Sequence, residues 1–450
     1  MSSIQLPSRD RIALWAMGAI GVASLATIFF TDDALHTRFW SSLLHNGTYF
    51  TFIALMAIFF VCVSRTALAG WNVGFKRVWE AMAMFMVVGF GVMALISVGI
   101  YAGWHHLFHW ADPEAVAGDK ILQGKSGFLN KHFFTIGGLG ILGLWIFFAH
   151  KMRTLSIAED NHGDDRYLYY KKMKFWAAVF LPIAGFGSAV VIWLWNMSVD
   201  PHWYSTLYAW YTGSSAFVAM IALTILLLLY LKSRGYYHNV TPEHFHDLGK
   251  FMFAFTIFWT YLWFSQYMLI WYGNIGEETV YFQTRIQKYP VLFYGNLIIN
   301  FVFPFLILMR NDTKRKFGTL FVVSLIVFFG HWVDTFQMLK PGVLEAAQEH
   351  LSTAHHIPEG LSLNAPEVSA QTVASHAEGT SSAVSHGEDA AHGHADMKPD
   401  IGYFVPGPAD IGLMLGFLAL FVATTLYFLS KAPLVPKNDP YLQESYHHHV

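Results

Sequence analysis

Apolar residues run along the chain in blocks of about twenty, separated by shorter segments rich in Gly, Pro, Asp and Lys. Crossing a bilayer takes roughly 20 mostly apolar residues. Ten blocks qualify: 11–30, 47–69, 78–104, 132–150, 175–197, 205–231, 250–273, 289–309, 317–339 and 408–430. Trp and Tyr mark the ends of several blocks, where interfacial rings anchor membrane helices. A backbone surrounded by lipid must satisfy its own hydrogen bonds. The pattern therefore predicts an all-α membrane protein of about ten transmembrane helices. The first block is longer than the core of a signal peptide and no small-residue cleavage site follows it, so it reads as a retained span.

Composition agrees. The chain is 54% hydrophobic and 13% charged, against about 25% charged in soluble domains. Net charge is near zero, so nothing points to nucleic acid. The single cysteine, Cys62, excludes an intrachain disulfide or a cysteine-held iron–sulfur cluster, and no Cys-x-x-Cys-His run offers c-type haem attachment. Haem b is disfavoured too, because no span carries a histidine near its centre. With the N-terminus placed in the cytoplasm, 20 of the 28 Lys and Arg fall in inner segments, from Arg9 and Arg11 to Lys431 and Lys437. That asymmetry favours an even number of spans with both termini cytoplasmic.

Five segments follow: 1–46 with the first span, 47–197, 198–340, a polar stretch at 341–405, and 406–450 with the last span. Residues 341–405 are rich in Ala, Ser, Gly, Glu and His and have no apolar period. They are expected to be an extended linker on the periplasmic side. Seven histidines lie there, including His392 and His394; a solvated tether is preferred over a metal site, and no metal ligands are assigned.

Ionisable groups inside lipid are costly and usually face a bundle interior. His331 and Asp334, three residues apart in the ninth span, share one helix face with Ser324 and Met338. They are the leading candidates for a proton path, with a buried packing pair as the alternative. Glu80, near the inner end of the third span, is a further candidate; its alternative is pairing with Lys76 or Arg77. Ser97, Tyr101, His105 and His109 recur at intervals of four at the outer end of that span, with His132 at the same level. Gln266 lies in the seventh span, which ends in Gly273-Asn274-Ile275-Gly276 followed by Glu277 and Glu278. Tyr101, His105, His132, Gln266 and Asn274 are candidate lining for a quinone or a proton path. Glu277 and Glu278 are candidate exit carboxylates, or simply cap a helix. Asn296 and Asn300 read as helix–helix glue.

The run from Phe258 to Ile275 resembles the membrane subunits of alternative complex III, a bacterial quinol:electron-acceptor oxidoreductase whose ten-helix subunits belong to the NrfD-like, polysulfide-reductase membrane-anchor superfamily. Gly124 to Asn130, Asp200 to Thr206, Gly330 to Asp334 and Lys431 to Leu434 resemble the second of its two ten-helix subunits. The similarity extends from about residue 47 to the C-terminus, outside 341–405. Gly276 stands where the family is expected to carry proline, and the 341–405 stretch is longer and richer in histidine. The resemblance implies two four-helix bundles, spans 2–5 and 6–9, with the first and last spans peripheral. It implies a bacterial inner membrane location. Implied partners are a homologous quinol-binding membrane subunit, an iron–sulfur protein, multihaem and monohaem c-type cytochromes, and small membrane subunits. Haem c and iron–sulfur clusters then belong to the partners, and no redox cofactor to this chain; a menaquinone or quinol site in it stays open. The implied role is scaffolding with proton conduction. A free-standing ion or solute transporter is the alternative, though such proteins usually break their helices at mid-membrane.

Overall fold

The computed structural model describes residues 7–32, 35–162, 166–353 and 405–448, with side chains of 347–353 excepted. Eleven long helices follow in order: α1 (Ser8–Thr31), α2 (Thr37–Thr66), α3 (Lys76–Ala102), α4 (Phe133–His162), α5 (Leu168–Val199), α6 (Thr206–Ser233), α7 (Pro242–Gly273), α8 (Gly276–Lys288), α9 (Pro290–Leu308), α10 (Phe317–Thr353) and α11 (Pro408–Ser430). Among the described residues, nine of these are long and apolar enough to cross a membrane. α8 is too short and polar, and α7 falls below the hydropathy of the nine. Trp259, Tyr261, Trp263, Gln266 and Tyr267 in α7 trade aliphatic bulk for polar atoms, and its first turns carry Glu243, Asp247 and Lys250.

The chain folds back and forth between two faces. Ion pairs fix which ends lie together: Asp10 of α1 meets Arg234 beyond α6 at 2.6 Å, and Arg77 of α3 meets Asp160 of α4 at 2.6 Å. At the other face Arg38 of α2 meets Asp410 of α11 at 2.8 Å. α2 packs on α3, α5, α6 and α10, and is buried along nearly its whole length. α4 packs on α3 and α5; α6 on α7 and α10; α9 on α7 and α10.

α1 buries only Gly21 and Ile28, and its chief neighbour is α11. The two backbones meet at Gly21 and Gly416, where a Cβ on Gly21 would lie 2.4 Å from the Gly416 Cα. Small residues let membrane helices approach this closely. Gly21→Val is therefore expected to push α1 off α11, at a cost of roughly 1–3 kcal/mol. A lower thermal midpoint in detergent, with α1 more open to protease, checks this; an unchanged midpoint contradicts it.

Helix ends follow local chemistry. Pro242 opens α7 at the position where a missing N–H costs nothing, behind the Thr241 cap, whose backbone N–H donates to His244 Nδ1 at 3.0 Å. Asn274, at φ 46°, ends α7. Gly103, at φ 68°, ends α3, and the chain turns so that His105 hydrogen-bonds the Ile96 carbonyl at 3.0 Å. The four-residue spacing from Ser97 to His109 is therefore not one continuous helix face. The expected linker boundary at 341 also moves. α10 continues through Pro341 to Thr353, because Val343 to Gln348 are mostly good helix formers and proline only bends a helix already packed on its neighbours. The remainder of the linker, with His392 and His394, lies outside the described residues.

At the face carrying Ser8, the C-terminal tail is bound to the helix ends. Asp439 accepts from Arg65 and from Lys76, each at 2.5 Å. Burial alone would raise the Asp439 carboxyl, but Lys76 and Arg65 hold it well below the usual carboxylate range. Ser445 accepts from the Gly74 N–H at 3.1 Å, and His448 meets Asp247 at 2.7 Å.

Candidate functional site

His331 and Asp334 sit one turn apart on α10, both 0% exposed. His331 Nδ1 lies 3.9 Å from Asp334 Oδ2, and Ser215 of α6 joins them, with its Oγ 2.9 Å from Nδ1 and 2.8 Å from Oδ2. Ser215 donates its hydroxyl hydrogen to Asp334, so His331 donates to the Ser215 oxygen through Nδ1–H. Three further donors converge on the carboxylate. Tyr211 of α6 donates to Oδ1, Asn296 of α9 donates to Oδ1 at 2.7 Å, and the Trp259 indole of α7 donates to Oδ2 at 3.0 Å. Four neutral donors from three helices thus hold one carboxylate, as a buried charge requires.

The sequence builds this locally. Tyr211 and Ser215 are four apart on α6, and Asn296 and Asn300 four apart on α9, so each pair shares a face. α9 contains a π turn over Ile298–Val302, and Asn300 within it donates to Asn296 Oδ1 at 2.6 Å. Gly330 lets Asn300 in: a Cβ there would lie 2.2 Å from Asn300 Oδ1. His331 Nε2, Asn300 Oδ1, Ser324 Oγ and Thr256 Oγ1 are buried and have no protein hydrogen-bond partner among the described residues. Ser324 is two helical turns from His331 on the same side of α10.

Beyond Asp334, away from the Ser8 face, lies a cavity of about 20 Å³ lined by Tyr211, Gln266, Tyr281, Arg285, Asp334 and Gln337. That is room for a single water. Arg285 of α8 closes it, sandwiched against Tyr281 at 3.4 Å, with Tyr281 in turn stacked on Trp203 at 3.8 Å. Arg285 donates to Asp200 at 2.9 Å, to the Tyr281 carbonyl at 3.0 Å and to the Met338 carbonyl at 3.1 Å. Past this pair a second cavity, of about 60 Å³, is lined by His109, Asp200, His202, Glu277 and Glu345. Gly342 leaves room for the Asp200 carboxylate, 2.6 Å from where a Cβ would lie. Burial pushes the Asp200 carboxyl above its ordinary value, and Arg285 opposes that rise. His202 pairs with Asp119 at the surface. Burial would raise the Asp119 carboxyl, but hydrogen bonds from His202, Ile121 and Leu122 outweigh it and hold it low.

No protein-family model matches the chain, and no curated protein resembles it.

Of the residues singled out from sequence, Asp334 and Gln266 come together at the inner cavity, His331 joins Asp334 through Ser215 without lining it, and Glu277 reaches the outer cavity from an exposed position. Glu278 is half-buried and lines neither. Glu80 lies at the opposite face, where it accepts from Arg77 at 2.8 Å and from Ser156 at 2.7 Å. Tyr101 and His132 meet each other at 3.0 Å, both exposed. His105 is packed against Gly99, and burial lowers its imidazole to about 4. Asn274 is exposed and serves as the left-handed cap of α7. Residues that sequence reasoning missed are Tyr211, Ser215, Trp259, Arg285 and Gln337. Tyr211 and Ser215, polar and one turn apart in an apolar run, carried the one available signal. Among the described residues no cluster of three or more metal-ligating side chains exists.

Proposed function

We propose that the chain is a cofactor-free membrane subunit of a bacterial quinol:electron-acceptor oxidoreductase of the alternative complex III type, which scaffolds the complex and carries protons through its second helix group. In this reading α7 also crosses the membrane, giving ten spans. α2–α5 form one four-helix bundle, α6, α7, α9 and α10 the other, and α1 and α11 lie outside. The Ser8 face is cytoplasmic in the inner membrane, and the stretch beyond α10 is periplasmic. Electrons pass through haem c and iron–sulfur clusters in the partner subunits, and quinol is oxidised in the homologous membrane subunit.

The observation that carries the proton role is Asp334: a wholly buried carboxylate that lines a water-sized cavity, in a helix group where Ser324, Thr256, Asn300 and His331 carry buried polar atoms without a protein partner among the described residues. Buried polar atoms are paired in native proteins, with ordered water where protein partners are lacking. Waters at Ser324, Thr256, Asn300 and His331 Nε2 would lead from the inner side to His331. Ser215 hydrogen-bonds both the imidazole and Asp334, so a proton arriving at His331 can move through its hydroxyl. From Asp334 the inner cavity leads to the Arg285–Asp200 pair, and the outer cavity to Glu277 and His202.

Complex membership is tested by gentle solubilisation and native electrophoresis with haem staining. The chain is expected in a haem-positive band well above its own mass, and to be colourless when isolated. Migration alone from mildly solubilised membranes would contradict the assignment.

A further inference from the structure

We propose that the cleft between α1 and α11 holds one anionic phospholipid, with its headgroup at the Ser8 face. The cleft lies beside the Gly21–Gly416 contact and encloses about 950 Å³, within the size of clefts that hold small molecules. Gly18 and Ala423 leave its floor bare, while Trp15, Phe417 and Leu420 form its sides. Its lining is apolar except at one end, where Arg11, Tyr427 and Ser430 meet. α1 buries only Gly21 and Ile28 against protein, and Leu14, Trp15, Gly18, Val22 and Leu25 of its apolar surface line this cleft.

Charge at the mouth selects the occupant. Arg11 is exposed and has no carboxylate partner among the described residues. Lys431 stands over the Tyr427 ring at 5.0 Å, also exposed. The acid next to Arg11, Asp10, is taken up elsewhere: Arg234 and Tyr230 each hydrogen-bond it at 2.6 Å. The mouth is therefore cationic without a counter-ion of its own. A guanidinium and an ammonium at headgroup depth match a phosphate, and Trp15 and Tyr427 are rings of the kind found at that level. Basic residues near the membrane surface attract anionic lipid. A neutral transmembrane helix would fill the apolar floor but leave both cations unmatched.

The test uses the full-length chain with all subunits that purify with it, delipidated and offered equal amounts of phosphatidylglycerol and phosphatidylcholine. Native mass spectrometry counts the lipid retained. One phosphatidylglycerol per chain is expected, in preference to phosphatidylcholine. Arg11→Gln and Lys431→Gln should each lower that preference roughly fivefold, from about 1 kcal/mol per basic residue. Both sites are exposed, so folding is untouched. Gly18→Leu, whose Cβ would meet nothing within 4 Å, fills the cleft and should abolish retention of either lipid. Equal retention of the two lipids, a preference indifferent to the charge substitutions, or full retention in Gly18→Leu would overturn the proposal. So would a Gly18→Cys variant that crosslinks to a helix of another subunit.

Discussion

Asp334→Asn is expected to leave the chain folded and its complex assembled while proton release falls on the order of a hundredfold, the size of effect associated with a lost acid–base group. The geometry explains why the fold survives. Trp259 can only donate, so the amide oxygen takes the Oδ2 position facing Trp259 and Ser215. The amide nitrogen then faces Tyr211, whose hydroxyl can accept, and Asn296, which can turn its amide over. Asn296 would next present a donor to Asn300, whose Oδ1 is without a partner and can take it. The exchange leaves the Tyr211 hydroxyl proton and the turned Asn300 amide without a protein acceptor, at about 1–3 kcal/mol each, and removes the ionisable proton. Asp334→Leu is the contrasting variant. It strands four donors in the core, each costing about 1–3 kcal/mol, and should abolish accumulation of the chain in the membrane. Proton release by reconstituted vesicles and subunit composition on native gels separate the outcomes. Normal proton release in an assembled Asn variant would reduce the cluster to a packing device.

Much of this arrangement could be read along the chain, and what could not has a physical reason. The His331–Asp334 spacing of three fixes a shared face whatever surrounds it, so that pair was legible. Its partners were not, because Tyr211, Trp259 and Asn296 come from helices whose relative rotation no single sequence specifies. Asn296 and Asn300 showed their four-residue repeat, but the π turn at Ile298–Val302 that aims them at Asp334 leaves no mark in composition. Tyr101 and His105 illustrate the opposite failure. Periodicity implied one face, yet Gly103 ends α3 between them and His105 folds back onto Ile96. The spans themselves were legible wherever aliphatic residues dominate. α7 is the instructive case, since the indoles and phenols that lower its hydropathy include Trp259, a ligand of the buried carboxylate.

Arg285 was hidden for a related reason. On sequence it is one basic residue in an amphipathic segment, and only the fold buries it between Asp200 and the cavity below. Arg285→Met should therefore be among the most damaging single substitutions in the outer half. It leaves Asp200 buried without its cation, and breaking a buried pair from one side costs about 3–5 kcal/mol. The loss should depend on pH. Burial already sets the folded Asp200 carboxyl above its ordinary value, with Arg285 opposing the rise. Removing Arg285 lifts it further. For an acid raised in the folded state, the stabilising contribution is complete below the unfolded value and fades as pH climbs through the folded one. The variant should accordingly be nearer to wild type at pH 5, where Asp200 is more readily protonated, and weakest at pH 8. Adding Asp200→Asn removes the orphaned charge and should recover most of the loss at pH 8, because the side chain keeps its shape against Gly342. Thermal midpoints of the purified chain at the two pH values, for both single variants and the double, decide the matter. A deficit in Arg285→Met that is the same at pH 5 and pH 8, or a double variant no more stable than Arg285→Met, would show that Arg285 acts through its stacking on Tyr281 and not through the Asp200 charge.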